Sequence, residues 1–295
     1  MDTPLLPLRH FLLGLAVVAV WGTNFVVIHV GLQHLPPLLF AALRFLFAAF
    51  PLVFFLPRPP VPWRHLAAYG VLIGAGQFGL LFVAMRSEIS PGLASLVVQA
   101  QVFFTIGLAM RLSGETVRPY QGVALLLGIA GLGVILTHTD GSTTPLGLVL
   151  VLLAALSWSG GNIVARASGV TNMLPYVVWA SLFSAPPLFA LSFALEGWPA
   201  MRQGLAAADG VTWAAVLWQT IGNTMFGYAA WGWLLARHPA ALVTPLALLV
   251  PLFGMGASAL WLGESLPSWK IAAALLVMSG LVIGLLYPRW KSARA

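Results

Sequence analysis

Ten apolar runs, each about as long as a bilayer's hydrocarbon core is thick, follow one another near residues 11–30, 38–56, 66–86, 91–111, 119–138, 146–166, 174–194, 212–235, 240–262 and 268–287. A helix rises about 1.5 Å per residue, so roughly 20 residues cross about 30 Å of hydrocarbon. Only helices and closed barrels satisfy their backbone polar groups there, and runs of this length fit helices. Charged residues make up 7% of the 295, against about 25% in soluble domains, and mean hydropathy is +0.95. The expected fold is an all-α integral membrane protein of ten transmembrane helices, with no room for a sizeable soluble domain. Arg9 and His10 precede the first run as in a signal peptide, but the run is too long and lacks a small-residue cleavage site, so it is read as a retained helix. Cysteine is absent, which removes disulfides and thiolate metal sites.

Basic residues divide unevenly between the two faces. With the N terminus inside, Arg9, Arg58, Arg64, Arg111, Arg118, Arg166, Arg237, Arg289, Lys291 and Arg294 fall at cytoplasmic ends. The opposite face holds Arg86, Arg202 and Lys270, and Arg44 lies within a span. Positive side chains at span ends stay cytoplasmic, so both termini are expected there. The net charge of +7 then reports topology and implies no nucleic-acid partner.

The chain also repeats itself. Pairing "WGTNFVV" with "SGGNIVA" matches Gly22 with Gly160, Asn24 with Asn162 and, at the same spacing of 138, Pro37 with Pro175. Phe78-Gly79 recurs as Phe226-Gly227, and each Gly is followed twelve residues later by a proline, Pro91 and Pro239. Ser95 with Thr244, Glu115 with Glu264 and Gly131 with Gly280 then match at a spacing of 149. Two halves are expected, 1–140 and 141–295, with five helices each. Five is odd, so the second half is inverted in the membrane about a pseudo-twofold axis, an arrangement that exposes one central site to either side in turn.

With these features the sequence resembles the EamA family of the drug/metabolite transporter superfamily over nearly its whole length. The resemblance rests on ten spans in two inverted halves, "WGTNF" in the first, Arg44 early in the second, Pro91 and Pro239 opening the fourth and ninth, and "SGE" and "LGE" closing them at Glu115 and Glu264. One departure is that Trp21 precedes Asn24 by three residues, whereas Trp158 precedes Asn162 by four. The chain looks most like that family's amino-acid and metabolite exporters. The resemblance implies movement of small organic solutes across the cell inner (plasma) membrane.

Mid-span polar residues fall on symmetric helices: Asn24 on the first, Gln77 on the third, Ser95, Gln99 and Gln101 on the fourth, Asn162 on the sixth, Gln219 and Asn223 on the eighth, Thr244 on the ninth. The fifth and tenth carry almost none. Such groups face a bundle interior or an aqueous path, so a central cavity lined by the polar helices is expected. Bonding between neighbouring helices is the alternative reading for each amide. Ser95 and Gln99 share a face, as do Gln219 and Asn223, whereas Gln101 points elsewhere and reads as a packing amide. Phe78, Trp158, Trp218 and Phe226 lie beside these amides. Indoles with amides suit neutral or zwitterionic solutes with apolar bodies, and neutral and aromatic amino acids fit. Pro251 should kink the ninth span, and Pro91, Pro239 and Arg44 complete the structural and gating set.

All seven acids, Asp2, Glu88, Glu115, Asp140, Glu196, Asp209 and Glu264, sit in loops or at span ends. No mid-membrane carboxylate relay is available, so facilitated export or exchange by alternating access is expected; a proton-coupled efflux carrier is the alternative, and a channel a weaker one for want of a filter loop or charged ring. Arg44 could hold a substrate carboxylate, but snorkelling to the outer interface or bonding to helix-end carbonyls is the favoured expectation. No H-E-x-x-H, G-x-S-x-G or paired mid-span aspartates occur, so no enzyme, metal or cofactor is expected. The expected partners are a small-molecule solute and the lipid bilayer, with a single chain sufficient for function.

Overall fold

The computed structural model describes residues 6–113, 119–138, 143–238 and 240–292. It is an all-helical membrane protein, with eleven helices among the described residues: α1 (Leu8–Gly31), α2 (Pro37–Phe54), α3 (Trp63–Ser87), α4 (Pro91–Leu108), α5 (Pro119–Thr137), α6 (Pro145–Ser168), α7 (Met173–Glu196), α8 (Trp198–Ala207), α9 (210–237), α10 (Thr244–Leu262) and α11 (Ser268–Ser292). Eight of them, α1 to α7 and α10, are long and apolar enough to cross a membrane. Polar residues around Gln219 and Asn223 lower the hydropathy of α9, and the apolar part of α11 runs Ser268–Gly284. Glu115 and Pro239 lie outside the described residues, as do Asp2, Arg118, Asp140 and Arg294.

Local chemistry places the helix ends. Proline opens α2, α4, α5 and α6, where its missing N–H costs no intrahelical bond. Thr144 caps α6 by accepting from the Gly147 amide at 3.0 Å, and Asp209 caps α9 by accepting from the Thr212 amide at 2.8 Å. Gly169 and Gly263 end α6 and α10 at φ of 68° and 67°, left-handed positions that a Cβ would strain.

Contacts between helix ends show that the helices alternate in direction. At the end of the bundle holding Leu8, the proximal rim, His10 meets His238 at 2.7 Å and the Trp179 indole donates to the Leu56 carbonyl at 3.1 Å. At the opposite, distal rim the Thr144 amide donates to Glu88 O at 2.8 Å, and the Leu38 and Leu39 amides donate to the Glu196 carboxylate at 2.6 and 3.1 Å. The short helix α8 also lies at this rim, its Gly204 packed on Pro36 and the His34 carbonyl. Sequence patterning places a loop here, because ten residues holding Arg202 and Gln203 fall well short of a spanning run.

Six helices are not α-helical throughout: α2 ends in a 3₁₀ turn, Leu52–Phe54, α7 ends in a π segment, Ser192–Glu196, and four others change winding within the span. Leu72–Gly79 of α3 and Trp218–Phe226 of α9 are π-helical, while Val98–Ala100 of α4 and Thr244–Leu249 of α10 wind as 3₁₀. The departures fall on matched helices. Phe78 and Phe226, paired by the sequence repeat, both lie in the π segments. Pro251 stands in the first α-helical turn after the 3₁₀ stretch, where the winding of the span changes.

The polar-poor helices α5 and α11 pack directly on each other. A Cβ on Gly131 would lie 2.6 Å from a Val277 methyl, and one on Gly280 would lie 2.6 Å from the Ala124 carbonyl, so each repeat-paired glycine admits the other helix. Apolar side chains left exposed, such as Leu126, Ile129 and Leu260, face what is lipid in the bilayer.

Candidate functional site

The second helix carries the fully buried cation of the bundle interior. Arg44 is 1% exposed. Its Nη1 donates to Gln219 Oε1 at 3.0 Å and its Nη2 to the Thr224 hydroxyl at 3.3 Å, and its guanidinium lies 3.6 Å from the centre of the Phe78 ring. The expectation that Arg44 snorkels to the interface or bonds helix-end carbonyls is corrected: α2 is the most enclosed of the spans, and side chains of α3 and α9 replace water around the head group. Isolated buried cations cost several kcal/mol; hydrogen bonds and the aromatic face offset part of that.

Gln219, itself 0% exposed, joins this cation to the first helix. Asn24 Nδ2 donates to Gln219 Oε1 at 3.3 Å and Gln219 Nε2 donates back to Asn24 Oδ1 at 2.8 Å, closing a reciprocal amide pair. The Trp21 indole donates to the Asn223 carbonyl at 3.2 Å one turn further along α9. Interhelical bonds in membranes average about 0.6 kcal/mol and reach about 1.7. A double-mutant cycle with Asn24→Leu and Gln219→Leu, read by equilibrium unfolding in mixed micelles, is expected to give a coupling of about 1 kcal/mol. A coupling near zero would show that the pair contributes no stability.

The structure thus brings Asn24, Arg44, Phe78 and Gln219 together, with Asn223 close by. Gln77 and Gln99 are buried, and Gln77 Oε1 has no hydrogen-bond partner among the described residues. Ser95 is fully buried and donates to the Gly92 carbonyl at 2.6 Å in the helix that Pro91 opens. Asn162 stands apart from the Arg44 network: its Nδ2 donates to Gln101 Oε1 at 3.1 Å, joining α6 to α4. Its repeat mate Asn24 is bonded to α9, so the two amides have partners on unmatched helices. Trp158, Phe226 and Thr244 are half-buried, and Trp218 is exposed with its ring against Gly222.

Thr224 is a site residue that α-helical periodicity hides. Five positions after Gln219, it would point away from it in an α-helix; the π winding lets its hydroxyl reach back to the Gln219 carbonyl at 2.9 Å and accept from Arg44. The polar stretch from Gln219 to Thr224 was the available signal.

Two further features mark the distal rim. Glu264, just past α10, accepts from the Ser90 hydroxyl at 2.5 Å, the Gly92 amide at 3.0 Å, the Ser258 hydroxyl and the Lys270 ammonium at 3.0 Å. Burial alone would raise this carboxyl, but bonds from Ser258, Ser90, Lys270 and the Gly92 amide together hold it below the ordinary carboxylate value. The "LGE" ending was legible; its pairing with buried Lys270, placed at the interface from sequence, was not. Nearby, a cavity of about 440 Å³ is lined by Gln33, His34, Arg86, Glu196 and Gln203 among others, away from the Arg44 network.

The chain matches the model of the EamA-like transporter family twice, over residues 8–137 and 145–286. A protein of Salmonella typhimurium named "Probable amino-acid metabolite efflux pump" is 42% identical, the match covering 92% of this chain and 93% of the relative. An Escherichia coli protein of the same name is 40% identical, with 95% and 96% covered. A solved crystal structure superposes with a TM-score of 0.61 over 96% of this chain and 98% of that one, at 20% identity, and shows the fold. The match to a family of transporters, not enzymes, over both halves, with full-length relatives at this identity, establishes that the chain belongs to the EamA-like transporter family.

Proposed function

We propose that this chain exports small organic solutes, neutral and aromatic amino acids or metabolites derived from them, by alternating access. The observation that carries this reading is the buried polar tract of Arg44, Gln219 and Asn24, flanked by the Trp21 and Phe78 rings where α1, α2, α3 and α9 meet. A bundle held together by lipid-facing packing alone has no need of such a tract. The names of the two full-length relatives support the solute class.

The proposed architecture has ten crossings, α1 to α7 and α9 to α11, in two inverted halves, 1–140 and 141–295, around a central path. The paired π and 3₁₀ segments support it, since departures from α geometry weaken a helix where it must flex. The family resemblance favours the inner membrane of the cell, and the distribution of basic residues favours both termini on its cytoplasmic side. Transport is facilitative or by exchange, because the described acids Glu88, Glu196, Asp209 and Glu264 all belong to the distal rim. One chain carries the whole site and acts as a monomer.

The test is uptake of labelled phenylalanine and leucine into proteoliposomes, with and without an imposed proton gradient, for wild type and Trp158→Ala. Saturable uptake indifferent to the gradient is expected, weakened about threefold to tenfold in the variant by loss of the indole surface. Steep dependence on the gradient would overturn the facilitative mechanism. Failure to move any amino acid would overturn the solute class.

A further inference from the structure

Lys270 and Arg44 are both 1% exposed, but only Lys270 faces a carboxylate, Glu264 at 3.0 Å. Among the described residues no carboxylate comes within ion-pair distance of Arg44. Each of the four described carboxylates is engaged elsewhere: Glu196 is held by the Leu38 and Leu39 amides, Glu88 by Thr144, Asp209 by Thr212, and Glu264 by its own cluster. The two acceptors that Arg44 does have are neutral and shared. Gln219 Oε1 also takes the Asn24 amide, and the Thr224 hydroxyl also donates to the Gln219 carbonyl. Arg44 Nε is buried without a hydrogen-bond partner among the described residues.

We propose that the solutes this protein carries bear a carboxylate, and that Arg44 is the residue that binds it. The inference rests on the transport reading above and narrows its substrate to organic acids and zwitterions such as amino acids. Gln219 and Thr224 orient the guanidinium, and the Phe78 ring covers one of its faces. Neither supplies the negative charge that a cation withdrawn from water requires. A guanidinium edge with an unused N–H is matched by the two oxygens of a carboxylate, and the pair formed is charge-assisted. When the carboxylate leaves, the Arg44 charge is left uncompensated, so one residue gives a solute both a reason to enter and a selectivity against neutral analogues.

The test is binding to the purified protein in lipid–detergent micelles, read by thermal shift, using matched acid and amide pairs: phenylalanine with phenylalaninamide, leucine with leucinamide, and 3-phenylpropionate with its amide. Acids are expected to bind wild type about tenfold or more tightly than amides. Arg44→Lys should keep a reduced preference for acids, and Arg44→Gln, checked for a monodisperse elution profile, should lose it. Equal binding of acid and amide by wild type, no binding of any acid, or an undiminished preference in Arg44→Gln would overturn the proposal. Should Arg44→Gln fail to fold, the wild-type comparison and Arg44→Lys decide it, with a preference unaltered in Arg44→Lys overturning it. Arg44-dependent binding of acids that never cross a vesicle membrane would uphold Arg44 as a carboxylate-binding residue and overturn the transport reading instead.

Discussion

Replacing Glu264 with alanine is expected to unfold this protein at markedly lower temperature, at a cost of about 3 kcal/mol, the low end of the range for breaking a buried ion pair. The low end applies because the Glu264 side chain is 9% exposed. Three of the donors it receives belong to other parts of the bundle: the Ser90 hydroxyl and Gly92 amide at the start of α4, and Lys270 at the start of α11. Its removal leaves the Lys270 ammonium buried with no counter-charge. Unfolding in lipid–detergent micelles would measure the loss, and the double variant Glu264→Gln with Lys270→Met should recover most of it, since a neutral pair leaves no stranded charge. If the double variant is as unstable as the single one, the hydrogen bonds to α4 rather than the charge pair hold the rim.

The same group sets a pH dependence of definite sign. Burial raises the Glu264 carboxyl, but the four donors outweigh burial and place it below its ordinary value of 4.5 in the folded protein. The folded state therefore prefers the ionised form. Its contribution to stability is complete above about pH 4.5 and is lost as pH falls through the lowered folded value. Acid titration of wild type should show that loss, and Glu264→Gln should flatten it.

The second large effect is expected from a single methyl group. A Cβ on Gly254 of α10 would lie 2.5 Å from the Ser95 Cβ on α4, while one on Gly22 of α1 would lie 2.6 Å from the Val250 carbonyl of α10. Three helices meet here with no space between backbones. Ser95 is fully buried and cannot swing aside. Overpacking of this kind costs about 1–3 kcal/mol. Gly254→Ala should also displace α10 from α4, disturbing the junction where Gly22 of α1 packs on α10 two residues from Asn24. Gly256, on the same helix, has no neighbour within 4 Å of where its Cβ would stand. Gly256→Ala should therefore leave both melting temperature and solute uptake near wild type, while Gly254→Ala lowers both. Equal behaviour of the two variants would show that the approach of α4 and α10 is slack.

Much of this was legible in the residues themselves. Apolar run length announces a helix crossing hydrocarbon whatever the neighbours are, because the backbone has no other way to satisfy its polar groups. The contrast between polar and apolar helices was equally plain, and Gly131 and Gly280, matched only by spacing, do admit one another's helices. Helical periodicity misled where the winding is not α: Thr224 belongs with Gln219 through a π turn that a 3.6-residue period cannot register. Length was sound at α8, too short to span, but it gave no sign that the segment folds as a helix packed on Pro36.

What the chain's residues determine alone is the solvent they need, the helices that follow from it, and which helices carry amides. Tertiary structure decided the partners: Gln219 for Asn24, Gln101 for Asn162, Glu264 for Lys270, and for Arg44 neutral acceptors and an aromatic face instead of the interface. The reason is physical. A period along one helix states which direction a side chain points relative to its neighbours in sequence, but the group it meets is set by the packing of residues up to 228 positions away, and an amide or a guanidinium is satisfied by whichever acceptor that packing delivers.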